Sequence, residues 1–215
     1  NLRLHHELTR SLVEVELKNA ELERLVEQLE QTVRTDELTG LASRRWLDLA
    51  LEGHWAEATR HDLPLAFVMI DLDGFKRLND EAGHQAGDEM LRLVGRVLEA
   101  GRRDVDLAAR YGGDEFSILL PHTGPEEAVA VASRVLAAFR AAAGRAVGAG
   151  ERPPVAMSVG VAHVDRSRPV NAEDLVRHAD EAMYAAKSRY GGDGIAVRHG
   201  DAVVRLDGPA AAWPG

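Results

Sequence analysis

The sequence predicts an α/β (α+β) fold in which helices pack over a mixed β-sheet. Three observations predict it. Leu65-Ala-Phe-Val-Met-Ile70 is a short unbroken apolar run, the pattern of a central strand buried on both faces. Leu107–Tyr111 and Phe116–Leu120 face each other across Gly112-Gly113 as a hairpin, so at least one pairing is antiparallel. Helical segments interleave with these strands, in the order helix-strand-helix-strand-strand-helix-strand-helix, which calls for a sheet covered by helices.

Taken in order, the first element is a heptad repeat over residues 1–35. With Leu8, Val15, Leu22 and Leu29 at d, the a positions become Leu12, Asn19, Val26 and Val33. This pattern predicts a parallel two-stranded coiled coil, and Asn19 at an a position favours a dimer whose buried amides pair. Lys18 at g and Glu23 at the following e add an interchain ion pair. The other reading, an amphipathic helix packed on its own domain, is open, although the stripe is narrow and keeps a 3.5-residue period. A second seam through Leu4, Leu8, Leu22, Leu25 and Leu29 allows a register switch.

Residues 36–197 form the predicted globular domain. Its helices are expected at Arg44–Arg60, Glu81–Ala100, Pro125–Ala143 and Ala172–Arg189. Asn171 opens the last one as an N-cap, with Asp174 three residues on. A further strand is expected at Val155–Val164, entered through Pro153-Pro154. Residues 198–215, ending in Asp207-Gly-Pro-Ala-Ala-Ala-Trp-Pro-Gly215, read as a frayed C-terminal tail.

Composition narrows the function classes. At 45% hydrophobic and 28% charged residues the chain is globular rather than disordered. A formal charge of −9 argues against nucleic acid as a partner but suits a divalent cation or a metal-bound nucleotide. The absence of cysteine excludes disulfides, thiolate metal sites and a cysteine nucleophile, and fits a cytoplasmic location. No apolar run approaches the roughly 20 residues of a membrane span, so no direct membrane contact is expected. Asn1 already lies within a helical pattern, so an upstream sensor or membrane anchor is expected to precede it.

The chemistry concentrates at the carboxyl end of the central strand, where open α/β sheets place ligands. That strand ends in Asp71-Leu-Asp-Gly-Phe-Lys76, and the hairpin turn carries Asp114 and Glu115. If the hairpin flanks the central strand, these acids can share divalent cations, magnesium taking one or two carboxylates and completing its shell with water and phosphate. Alternatively, Asp71 and Asp73 only cap the following turn. An EF-hand is excluded by Phe75 and Lys76, and no P-loop or Rossmann glycine pattern exists. Asn79 reads equally as a helix N-cap, lone His84 as a structural histidine, and Arg103-x-x-Asp106 as a surface ion pair.

Tyr111-Gly-Gly-Asp-Glu-Phe116 resembles the signature of the GGDEF family of diguanylate cyclases. The likeness extends to Asp71-x-Asp73-x-Phe75-Lys76-x-x-Asn79-Asp80-x-x-Gly83-His84-x-x-Gly87-Asp88-x-x-Leu91. It also takes in Asp36-x-Leu38-Thr39-Gly40-Leu41, Ser158-Val-Gly-Val161 and Ala179-Asp180-x-Ala182-Met183-Tyr184-x-Ala186-Lys187. The resemblance implies a palm-like, mixed, mainly antiparallel five-stranded sheet. It implies condensation of two GTP into cyclic di-GMP and two pyrophosphates across a homodimer held by the coiled coil, as the output of a signalling protein.

By the same resemblance, Asp71, the Leu72 carbonyl, Asp114 and Glu115 hold two Mg²⁺ (or Mn²⁺) ions per site. Asp114 is the proton acceptor, with Glu115 beside it as the second catalytic carboxylate. Asn79 and Asp88 read guanine, His84 supports the base, and Gly112 and Gly113 give the nucleotide backbone room. Amides of the Asp73–Lys76 loop (Phe75 and Lys76 among them) and Lys187 receive the β- and γ-phosphates. Arg103, Asp106 and Arg134 form an inhibitory product site. Two positions depart from the family: glycine stands where a phosphate-binding arginine follows Lys187, with Arg189 as a substitute, and Ser43 replaces an asparagine. The alternative function is a non-catalytic receptor for cyclic di-GMP or GTP.

Overall fold

The computed structural model describes residue 18 and residues 34–147, 155–189, 191–206 and 213. The heptad segment, apart from residues 18, 34 and 35, lies outside the described residues, as do Pro153-Pro154. The elements run β1 (Ala42–Ser43), α1 (Arg44–His61), β2 (Leu65–Asp73), α2 (Phe75–Ala82), α3 (His84–Gly101), β3 (Leu107–Gly112), β4 (Glu115–Pro121) and α4 (Pro125–Val147). Then follow β5 (Ala156–His163), the short α5 (Val164–Ser167), α6 (Ala172–Ser188), β6 (Gly194–His199) and β7 (Ala202–Leu206).

The strands form one sheet in the order β1-β3-β4-β2-β5-β6-β7. β2 lies at its centre, antiparallel to both β4 and β5. Of the remaining pairings, β3–β4 and β6–β7 are antiparallel, whereas β1–β3 and β5–β6 are parallel. Helices cover both faces, so Leu65–Leu72 are all buried and every residue of the run must be apolar until the acids begin. On one face Val68, Ile70, Phe116 and Val159 meet α3 and α4 through Val94, Leu98, Val135 and Phe139. On the other, Phe67, Met69 and Leu119 meet α1 and α6 through Leu47, Leu51, Leu175 and Met183.

Among the described residues the sheet has seven strands, two more than the five expected. One addition is the two-residue β1. The other corrects the tail: residues 202–206 pair with β6, and Trp213 is buried against the core. A hairpin signal was present in Gly200-Asp201, a two-residue loop closed by the His199–Ala202 pair, with Gly200 at φ 55°.

The segment expected as one helix over Glu81–Ala100 is two. Gly83, at φ 84° and ψ 163°, ends α2 and starts α3, and α2 begins earlier, at Phe75. Asn79 therefore lies inside α2 and is no N-cap. Ser43 has a local role: its Oγ accepts from Trp46 N at 3.2 Å as the N-cap of α1. Asn171 caps α6 as expected, Oδ1 accepting from Asp174 N at 2.7 Å, while Asp174 accepts from Val170 N. Among the described residues no helix is long and apolar enough to cross a membrane.

Candidate active site

The register of β2 and β4 decides how the acids meet. Asp71 pairs directly with Glu115, the first residue of β4, and Asp114 stands in the turn just before it. The turn is made possible by Gly113 at φ 47°, a left-handed conformation that suits glycine. Pairing with β4 stops at Asp71 whereas pairing with β5 continues to Asp73, so beyond Asp71 the edge of β2 next to the hairpin is uncovered. The Leu72 backbone lies on that stretch, its side chain in the core.

These carboxylates repel one another. Burial pushes the Asp71 carboxyl up, Lys187 pulls against it, and Asp114 and Asp73 push further. Glu115 is also raised, first by burial, then by Asp71, Asp180 and Asp114. Such a group stabilises a cation, which is the donor chemistry a magnesium site requires. Among the described residues no three acids or histidines gather closely enough to hold a metal unaided. Two carboxylates with a third in the adjoining turn nevertheless fit an ion that takes its other ligands from water and phosphate.

The cation that does meet Asp71 is Lys187, from the last turn of α6, whose Nζ donates to Asp71 Oδ1 at 2.6 Å. Lys187, expected to receive phosphate, here spans to the acid. It reaches there because α6 lies tightly on β5: a Cβ at Gly160 would stand 2.1 Å from the Ala179 carbonyl oxygen. This packing also accounts for the glycine of Ser158-Val-Gly-Val161.

On the other side of the strand end, Gly74 (φ 85°) turns the chain into α2 without a side-chain cap. The first amides of α2, at Phe75 and Lys76, thus lack intrahelical acceptors, as an anion-binding helix start needs. Lys76 is exposed and Phe75 is half-buried against the core. A Cβ at Gly87 would meet Asn79 Oδ1 at 2.0 Å and Phe75 Cζ at 3.2 Å. The bare Gly87 backbone therefore admits the Asn79 amide beside the turn of α3 that carries Asp88. Both residues are half-buried, and His84 is exposed at the start of α3. Gly112 ends β3 with a virtual Cβ no closer than 4.0 Å to Glu115.

Arg103 and Asp106 stand together but are engaged. Arg103 Nη2 donates to Asp106 Oδ1 at 2.8 Å and also to Thr123 Oγ1, while Nη1 pairs with Glu127 at 2.8 Å. Arg134 is exposed on α4, in an α3–α4 groove of about 490 Å³ shared with Arg96 and Arg145.

Sequence reasoning missed several supporting residues. Arg110 donates to the Gly113 carbonyl oxygen at 2.8 Å and pairs with Asp36 at 3.2 Å, tying the hairpin turn to the domain entrance. Arg44 stacks over the Tyr111 ring at 4.2 Å. Asp73 accepts from Ser158 Oγ at 2.7 Å and from Asp193 N at 3.2 Å, and Arg140 holds Asp193 from the other side. Asp73 is thus a brace for the loop after α6. Apart from the local Arg110–Gly113 bond, these join residues far apart in sequence, and the motif status of Asp36, Asp73, Tyr111 and Ser158 was the signal that hinted at them.

Comparison with known proteins identifies the family. Residues 33–193 match the family model described as diguanylate cyclase, GGDEF domain. The response regulator PleD of Caulobacter vibrioides is 36% identical over 159 residues, covering 72% of this chain and 34% of that protein. Diguanylate cyclase DosC of Escherichia coli is 37% identical over 161 residues, covering 73% and 34%. The chain thus spans about a third of these relatives. Among solved structures, the coiled coil and GGDEF domain of DgcB from Caulobacter crescentus, in complex with c-di-GMP, superposes with a TM-score of 0.69 at 30% identity. That match covers 86% of this chain and 97% of the other. The active GGEEF domain of a diguanylate cyclase from Vibrio cholerae gives 0.66 at 30% identity, covering 74% and 98%. With three quarters of its length inside the family model and the acids of the signature turn set against Asp71, the chain belongs to the diguanylate cyclase GGDEF domain family.

Proposed function

We propose that this domain condenses two GTP molecules into cyclic di-GMP. The observation that carries the reading is the pairing of Asp71 with Glu115, with Asp114 in the adjoining turn, beside a helix start suited to phosphate and a half-buried Asn79–Asp88 pair. The family is generally dependent on divalent metal, and Asp71, Asp114, Glu115 and the Leu72 carbonyl are the groups that would hold two Mg²⁺ or Mn²⁺. Held by these groups, the metal would supply a lowered pKa at the attacking hydroxyl and neutralisation of charge on the leaving pyrophosphate.

The protein's own groups do the rest. The Asp88 carboxylate accepts from guanine N1–H and N2–H₂, a donor pair that adenine lacks, and Asn79 adds a further polar contact at the base, with His84 supporting it. Amides at Phe75 and Lys76 receive the distal phosphates, and Gly112-Gly113 leaves space over the turn. The 3′-oxygen of one nucleotide bonds to the α-phosphorus of the other, and the bond to the β-phosphate oxygen breaks. Pyrophosphate leaves, and the hydroxyl proton passes to Asp114 or Glu115. The same step in reverse orientation closes the ring.

Because each domain supplies one half-site, the reaction needs a homodimer, for which the heptads of residues 1–35 provide the means. An upstream sensor would act through that coiled coil, by shifting the population of dimer arrangements. Product inhibition through Arg103, Asp106 and Arg134 belongs to the same proposal, as does a cytoplasmic location.

The test is to incubate the protein with Mg²⁺ and GTP, and separately with ATP plus GTP, and to identify products by mass. Cyclic di-GMP alone is expected in both. Asp114→Ala should lower the rate at least about a hundredfold. GTP left unreacted in every condition would establish the receptor reading instead.

A further inference from the structure

Lys187 is more than a phosphate-side charge. Its Nζ touches an Asp71 carboxylate that is only 7% exposed, at 2.6 Å. Its charge also faces Glu115, Asp73 and Asp114. Lys187 is therefore the resident counter-ion of the whole acid group. A divalent ion approaching Asp71 would meet a positive charge already bonded to the oxygen it needs, and like charges at such range repel strongly where water is partly excluded.

The helix carrying Lys187 is held at two places. It is wedged onto β5 at Gly160, and the loop after it is pinned by Asp73 and Arg140 through Asp193. The side chain can leave, because its stem is four carbons long and 42% exposed. What would draw it away is a strong anion arriving at the same strand end.

We propose that Lys187 gates the metal site: it closes Asp71 to free divalent cations and is drawn off by a nucleotide triphosphate, so that metal and nucleotide load together. This rests on the metal-dependent reading above and adds an order of binding to it. The gate keeps the nucleotide-free acids neutralised without a bound ion and makes uptake of the metal conditional on substrate. Because binding linkage is reciprocal, metal must also tighten nucleotide binding, and the part of that coupling due to Lys187 must vanish when the lysine does.

The experiment measures Mn²⁺ uptake by the loss of its free-ion electron paramagnetic resonance signal. Wild type, Lys187→Met, Lys187→Gln and Asp71→Asn are each titrated, with and without a GTP analogue whose α–β bridge cannot be cleaved. Circular dichroism melts confirm that each is folded. Without nucleotide, both lysine variants are expected to bind Mn²⁺ about tenfold or more tightly than wild type, one lost repulsive charge of about 1.4 kcal/mol. Their metal–nucleotide coupling should shrink correspondingly. Equal Mn²⁺ affinity in wild type and either folded lysine variant, without nucleotide, overturns the gate. If Asp71→Asn takes up Mn²⁺ as well as wild type when the analogue is present, the metal reading itself fails. The two failures are thus read from different titrations.

Discussion

His163 shows how one side chain carries both packing and pH dependence. It is fully buried, its Nε2 lies 3.0 Å from the Thr123 carbonyl oxygen, and its Nδ1 accepts from Asp165 N at 3.1 Å. The ring is thus held neutral, donating from Nε2, with the Trp213 ring edge-on at 6.3 Å. Burial lowers its pKa, outweighing the opposing pull of Asp165, the Thr123 hydrogen bond and Glu126, while Arg166 lowers it further. His178 is lowered too, again first by burial. An imidazole depressed on folding leaves the unfolded chain binding more protons, so its contribution to stability is full above the unfolded pKa of about 6.5 and is lost as pH falls toward the folded value. Thermal melts should therefore fall between pH 7.5 and 5, by about 4 °C for each unit of depression. His163→Gln should flatten part of that slope; an unchanged slope would show that His163 is not the source.

At the scale of elements, the helices depend on local chemistry that the sequence states openly. Ser43 and Asn171 cap α1 and α6 with their own side chains, and Gly74 and Gly83 set the ends of α2. Ser43→Ala should remove one capping hydrogen bond, costing about 1 kcal/mol and lowering Tm by about 3 °C. Differential scanning calorimetry checks it. The helices were legible because caps and apolar spacing act within a few residues. The break at Gly83 was not, since a helical pattern tolerates a lone glycine at a cost of only about 1 kcal/mol.

At the scale of the molecule, residues 202–206 complete the sheet. β7 covers the edge of β6, and Trp213, 5% exposed, closes the core on the α3–α4 face. Trp213→Ala should cost on the order of 3 kcal/mol, about 9 °C in Tm, from lost burial and the cavity it leaves. Chemical and thermal unfolding would measure it, and a shift below about 2 °C would show that Trp213 contributes no core packing. Deleting residues 202–215 would bare the β6 edge as well.

The fold class, the central strand, the hairpin and the acids that matter were legible in the sequence alone, because each is written in a short pattern: an apolar run, a glycine pair, adjacent carboxylates. Tertiary structure decided which groups meet. Asp71 faces Glu115 because of a strand register, and Lys187 answers Asp71 across 116 positions because α6 seats on a bare glycine. Asp73 serves as a brace and Arg103 is already engaged by Glu127 for the same kind of reason. Local patterns specify backbone conformation and hydrophobic burial, which depend on near neighbours. Charge pairing at a site depends on through-space distance, and that exists only once the sheet has been assembled.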